Sequence, residues 1–180
     1  AVNRDDALSR GLLVSQFLED ERPVLDYCHS LQLQADRYNG YNLLAFDGDA
    51  LVYQSNGVKQ PVVLSPGLYG LSNATLDTPW PKVNSAVDKL KQWLTHAESV
   101  TELAGLLGDH SISADENLPQ TGVSLELERL LSAEFIALAD YGTRCSTGVR
   151  VHLSGRTEYC EVTHGKEGGL CSQEIPSVLS

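Results

Sequence analysis

Pro61-Val62-Val63-Leu64-Ser65-Pro66-Gly67-Leu68-Tyr69-Gly70-Leu71-Ser72-Asn73-Ala74-Thr75-Leu76-Asp77-Thr78-Pro79-Trp80-Pro81-Lys82 decides how this chain is read. Val62, Val63 and Leu64 suit the pleated surface of a strand. Ser65-Pro66-Gly67 interrupts it, because proline fixes φ and glycine supplies backbone conformations that other residues avoid. Leu68 to Leu71 is expected to resume the strand, leaving Ser72 and Asn73 at its end. Asp77 or Thr78 is the expected cap of the next helix, with Pro79 in its first turn. A strand ending in Ser-Asn ahead of Pro-Trp-Pro makes this the first place to look for a site.

Upstream of it, Ser9 to Asp20 has helical spacing, with Leu12, Leu13, Phe17 and Leu18 on one face. Pro23 opens a second helix whose inner face carries Val24, Tyr27, Cys28 and Leu31. Tyr38-Asn39-Gly40-Tyr41 turns into a strand. Asn42 to Phe46 and Ala50 to Gln54 read as a hairpin around Asp47-Gly48, a pair that tolerates a type I′ turn. Asn56-Gly57 leads into the Val62 strand, so this region is an antiparallel meander.

Downstream, Trp80 to Thr95 is the longest expected helix, with Val83, Val87, Leu90 and Leu94 on one side. Ser99 with Glu102 forms a capping-box pattern for a short helix to Leu107. Asp109 to Gln120 is polar and reads as a mobile loop. Val123 to Leu131 is helical. Val149, Val151 and Leu153 alternate in a strand that Ser154-Gly155 turns back into Thr157 to Thr163. The tail after Gly165 has no period and reads as irregular. Helices, a meander, helices and a hairpin make an α+β chain, and two antiparallel units separated by helices suit a layered αββα sandwich.

The chain has 180 residues, which predicts a single domain over 1–180. Its formal net charge of −11 argues against nucleic acid or an anionic membrane surface as partner. Apolar runs are too short to span a bilayer. Ala1 stands first, no methionine occurs and no signal peptide is visible, so the expected reading is a cytoplasmic fragment that has lost upstream sequence. Cys28, Cys145, Cys160 and Cys171 lack zinc or redox spacing and are expected as reduced, mostly buried thiols. The five histidines form no metal or haem-attachment motif.

Two residues stand out for chemistry. The Asn73 amide can donate to an oxyanion or a ligand carboxylate, or it can close a turn with its own backbone. Arg144, in Tyr141-Gly142-Thr143-Arg144, can clamp a carboxylate or form a structural pair with Asp140 or Glu134. Thr143 and Ser146 offer hydroxyls beside it. Cys145 adjoins the cation, which favours a thiolate, but reads more simply as a small buried strand residue.

Leu64 to Asn73 with Pro79-Trp80, and Tyr141-Gly142-Thr143-Arg144, resemble the NRDE family, that of the transport and Golgi organisation protein 2. Ser9-Arg10-Gly11-Leu12-Leu13-Val14 and Tyr38-Asn39-Gly40-Tyr41-Asn42-Leu43 match in the same order, and the likeness runs from Ser9 to Val162. The resemblance implies an N-terminal-nucleophile-hydrolase-like αββα sandwich of two antiparallel sheets, incomplete here at its N-terminus. Full-length members begin with Met-Cys and carry Asn-Arg-Asp-Glu near the start. Neither feature is present, and Asn3 stands where the family has a later Thr-Asn-x-Arg-like segment. By order along the chain, Asn73 and Arg144 correspond to an active-site Asn and a late Arg of related amidohydrolases.

The resemblance further implies a role in intracellular haem trafficking. Haem would be a transported ligand, Arg144 and Asn73 would meet a propionate, and Asn3, Trp80 and Thr143 would complete the ligand-binding set. Haem-loaded membranes or haem proteins would be the partners, and no metal site is expected. One alternative is a cysteine amidohydrolase of the N-terminal-nucleophile class whose nucleophile lies outside this chain, since Ala1 has no thiol or hydroxyl. Another is acyl-CoA or lipid binding in the same cleft.

Overall fold

In a computed structural model the described residues are 4–96, 99–165 and 170–175, the last as backbone. They form an α+β chain with two three-stranded antiparallel sheets, each in its own compact unit, residues 1–77 and 78–180.

In the first unit, helices α1 (Gly11–Leu18) and α2 (Val24–Gln32) precede the meander β1 (Asn42–Phe46), β2 (Leu51–Ser55) and β3 (Val62–Val63). All four residues expected on the inner face of α2 are buried, and they pack with Leu13, Leu43, Ala45 and Val52 into one core. Burying each of the larger aliphatic side chains contributes about 1.5–3 kcal/mol. α1 is shorter than its sequence pattern. Leu13 is its buried residue and Leu18 is exposed, so half of the expected apolar face points to solvent.

The hairpin exists, but its loop has four residues rather than two, because Phe46 pairs with Leu51. Gly48 alone takes positive φ there. Asp47 closes the loop, its carboxylate accepting from the N–H groups of Asp49 and Ala50. The same carboxylate accepts from Val24 N–H at 2.9 Å, which caps the first turn of α2 and fixes that helix against the sheet.

The strand expected over Leu68 to Leu71 does not form. β3 stops at Val63, and the segment beyond it folds on itself. The Tyr69 hydroxyl donates to Ser65 O at 2.7 Å, and Gly67 lies close under the Tyr69 ring. Asp77, at φ 56°, is spent on this loop instead of capping a helix. Its side chain accepts from Gly70 N–H, and its own N–H donates to Gly70 O.

In the second unit α3 (Pro81–Trp93) starts one residue later than the expected Trp80, with Pro81 rather than Pro79 in its first turn and Trp80 before it. α4 (Val100–Gly105) is capped as expected, Ser99 Oγ accepting from Glu102 N–H. α5 spans Leu125–Leu131, with Ser124 as its cap. β4 (Cys145–Val151) and β5 (Thr157–Thr163) form the expected hairpin, with Gly155 at φ 80°. β6 (Leu170–Ile175) adds to β5, in the tail that reads as irregular. Its sequence is apolar only at the ends, so strand pairing rather than hydrophobic period defines it.

α4 packs on one face of this sheet through Val100, Ala104 and Cys160. Gly148 makes that approach possible, since a Cβ there would lie 2.6 Å from Val100 O and 2.9 Å from Ala104 N. The alternating Val149 and Val151 point to the opposite, half-exposed face. The loop from Asp109, expected as mobile, is laced down by Phe135 N–H to Asp109 O, Ser113 N–H to Ser132 Oγ, and a two-bond Arg129–Asp115 ion pair.

Candidate functional site: the Asn73 cleft

Three turns meet at one end of the first sheet. β1 begins at Asn42 opposite Ser55, where β2 ends, and the Ser72–Thr75 loop lies alongside. Together they enclose a cleft of about 610 Å³, within the range of small-molecule sites. Arg10, Asn42, Asn56, Asn73 and Thr75 line it, with Gly40 and Gly57 in the turns.

Asn42 builds the wall that carries Asn73. Its Nδ2 donates to Ala74 O at 2.8 Å and Ser72 O at 3.3 Å, so the carbonyls on either side of Asn73 are both held. Its Oδ1 accepts from the Tyr53 hydroxyl at 2.7 Å, and that hydroxyl accepts in turn from Leu76 N–H. Asn73 itself is exposed, and its amide makes no hydrogen bond among the described residues. It does not close a turn with its own backbone.

Asn56 staples the opposite wall, donating to Tyr38 O and Asn39 O and accepting from Tyr41 N–H. Arg10 is the charged residue of the lining. It is exposed and donates to Gly40 O at 3.0 Å, one of five N–H groups on the guanidinium. Sequence does not single out Arg10, Asn42 or Asn56, although Arg10 and Asn42 lie in the Ser-Arg-Gly and Tyr-Asn-Gly-Tyr-Asn segments. Those segments have the signals of a helix and a turn, and their role as a shared wall depends on pairing between distant turns.

The lining includes no His, Cys, Asp or Glu among the described residues. Amide and guanidinium donors therefore dominate. Such a wall can bind a carboxylate or polarise a carbonyl, and the hydroxyls of Tyr41, Ser55, Ser72 and Thr75 complete its polar lining.

The other expected residues belong to the second unit, apart from Asn3, which lies outside the described residues. Arg144 is exposed just before β4, and its carbonyl accepts from His164 N–H at 2.8 Å. It forms no ion pair among the described residues. Glu134, one expected partner, is held by Lys89 at 2.7 Å. The Thr143 hydroxyl accepts from Ile136 N–H at 3.0 Å, and Thr143 N–H donates to Ile136 O, so this side chain closes a loop. Trp80 precedes α3, and the Lys82 ammonium lies 5.7 Å from its ring centroid. Cys145 is exposed, not buried as its strand position suggests.

The charges of the second unit concentrate on the β4–β5 hairpin. Glu158 is paired with Arg150 across the strands and accepts from Arg156 and His152. The Arg150 hydrogen bond, followed by that of His152, holds the Glu158 carboxyl down at about 2. Arg150 also packs over Trp93, 5.9 Å from the ring centroid. Among the described residues no group of three His, Cys, Asp or Glu could hold a metal, and no helix is long and apolar enough to cross a membrane.

Comparison with known proteins agrees with the motifs. The family model for Transport and Golgi organisation 2 matches residues 1–166. The Transport and Golgi organization protein 2 homolog of Bos taurus is 36% identical over 89% of this chain and 63% of its own length. The Mus musculus homolog is 34% identical over 87% of the chain and 62% of its own, and the Homo sapiens homolog 32% over 86% and 62%. The chain thus spans a little under two thirds of these relatives, and across that span it belongs to the Transport and Golgi organisation 2 family.

Proposed function

We propose that the chain carries a hydrophobic ligand by its carboxylate, with haem as that ligand, and that the Asn73 cleft receives a propionate. The observation that carries this reading is an unspent amide and a guanidinium on one cleft, with no carboxylate, imidazole or thiol among its described lining residues. In this cleft Arg10 takes the part that the family resemblance implies for Arg144, and Arg144 is tested separately as a cation for the ligand. A carrier in the cytoplasm that takes haem from membranes or haem proteins needs a site that holds without reacting. The N-terminal-nucleophile-hydrolase-like sandwich is part of the proposal. Each unit supplies an antiparallel sheet with helix on one face and a half-exposed apolar face on the other, Leu44 and Phe46 in one and Val149 and Val151 in the other.

Titration of haem into the protein, followed by the Soret band, tests it. Arg10→Ala and Asn73→Ala each remove a bond to a charged group, worth about 1.5–3 kcal/mol, and are expected to weaken binding roughly tenfold or more. Arg144→Ala measures the second cation. Unchanged affinity in both cleft variants overturns the reading, and displacement of haem by an acyl-CoA assigns the cleft to lipid instead.

One observation favours a second reading, an amidohydrolase. The Asn73 amide is held between two fixed carbonyls and points to no internal partner, as an oxyanion donor must. The nucleophile would then be a cysteine at the N-terminus of the mature protein. Amide hydrolysis lost on alkylating that thiol supports this reading, and hydrolysis insensitive to alkylation removes it.

A further inference from the structure

β4 lies at one edge of the second sheet, and the phase of its ladder shows which backbone groups it leaves unspent. His152 N–H donates to Arg156 O and His164 N–H donates to Arg144 O, each at 2.8 Å. Both bonds continue the β4–β5 register, in which Gly148 stands opposite Cys160. Antiparallel ladders alternate bonded and unbonded pairs, so the even-numbered residues of β4 are the ones that bond to β5. The N–H and C=O groups of Cys145, Thr147, Val149 and Val151 therefore point outward. Among the described residues these groups have no hydrogen-bond partner.

Natural edge strands are blunted by a proline, a lysine, a bulge or short length. β4 has none of these. Cys-Ser-Thr-Gly-Val-Arg-Val runs for seven residues in unbroken register with β5. Its one charge, Arg150, is turned to Glu158 of β5. The outward residues also expose their side chains, Val149 at 50% and Val151 at 46%. An edge of this kind is a template for another strand.

We infer that β4 pairs antiparallel with β4 of a second copy about a two-fold axis at Gly148, joining two three-stranded sheets into one. The strand's own sequence selects this partner. About that axis Cys145 faces Val151 of the second copy and Thr147 faces Val149, so every outward N–H meets an outward C=O. Any other centre within β4 leaves some of these groups unpaired. The facing side chains are apolar or β-branched, and no like charges meet, because Arg150 comes opposite Ser146 of the second copy. α4 lies over Gly148, and its exposed Thr101 and Gly105 are small, so two copies of it can come side by side. An isologous contact closes on two copies and leaves no β4 edge over.

Sedimentation equilibrium of the full chain tests this, with hydrogen exchange read by NMR beside it. A dimer is expected at micromolar concentration, with the amides of Cys145, Thr147 and Val151 protected like those of Gly148 and Arg150. Val149→Pro removes one outward N–H and no bond to β5, a change that edge strands accept. It should convert the dimer to monomer and speed exchange at Thr147 and Val151 by about tenfold or more, with Gly148 still protected. The wild-type exchange pattern decides alone if that variant fails to fold. A wild-type monomer, fast exchange of the outward amides within a dimer, or a dimer that Val149→Pro leaves intact overturns the inference. So does growth beyond two copies, which would mean that β4 pairs head to tail with a different edge.

Discussion

The Asn42 amide donates to the Ala74 carbonyl at 2.8 Å across 32 residues of sequence, and this bond determines where Asn73 stands. Asn42→Ala removes it together with the bond to Ser72 and leaves the Tyr53 hydroxyl without its acceptor. Unsatisfied buried groups of this kind cost about 1–3 kcal/mol each. Urea unfolding should show a loss of that order, and limited proteolysis should open the Gly70–Asp77 loop. Asn42→Asp keeps the shape and the acceptor for Tyr53 but sets a carboxylate oxygen against two carbonyls. It should be no better than alanine. Full stability in Asn42→Asp would show that the donated bonds are not what holds the loop.

Gly148 and Gly105 give opposed expectations on a single helix–sheet contact. A methyl at Gly148 would meet the backbone of α4, which cannot rotate away, while at Gly105 nothing lies within 4 Å. Gly148→Ala should therefore destabilise by roughly 1–3 kcal/mol. Gly105→Ala, inside α4, should stabilise by about 0.4–1 kcal/mol by reducing the freedom of the unfolded chain. Thermal unfolding of the two variants against the wild type reads both signs at once.

Sequence legibility followed how local each signal is. The four buried residues of α2, the Ser99 cap and the Gly155 turn are specified within a few positions, and each is where its residues indicate. The failures come where a side chain serves a distant segment. Asp47 reads as half of a two-residue turn but also caps α2, so the loop lengthens. Asp77 reads as a helix cap but closes a loop on Gly70, and α3 starts later. The Leu68–Leu71 segment has strand composition and no strand neighbour. At the site, Asn73 was visible because it follows a conspicuous motif. Arg10 and Asn56 were not, since nothing in their own neighbourhoods says that two turns converge.

The Glu158 cluster makes the second unit acid-sensitive in a defined window. Its carboxyl sits at about 2 in the folded chain against 4.5 for an ordinary glutamate, held there first by Arg150 and then by His152. A depressed folded value means that the stabilisation is complete above about 4.5 and is lost as pH falls toward about 2. Glu158→Gln cannot titrate. The difference in Tm between wild type and Glu158→Gln should be constant above that window and shrink through it. A difference independent of pH would mean that the Arg150 and Arg156 contacts contribute through packing rather than charge.

The cysteines provide a chemical readout of the core of the first unit. Cys28 is fully buried between α2 and the sheet, and burial pushes its thiol up to about 11. At pH 8 only about one thiol in a thousand would then be thiolate, the form that reacts. Cys160 is equally buried under α4, whereas Cys145 is exposed beside Arg144. Iodoacetamide at that pH, followed by peptide mass mapping, should modify Cys145 in the native protein and reach Cys28 and Cys160 only after denaturant is added. Asp47→Ala should shorten that protection at Cys28 and leave it intact at Cys160, because the lost cap belongs to α2 alone. Native labelling of Cys28 at the rate of Cys145 would mean that the α2–sheet core opens freely, and the cleft built on that sheet could not then be a fixed site.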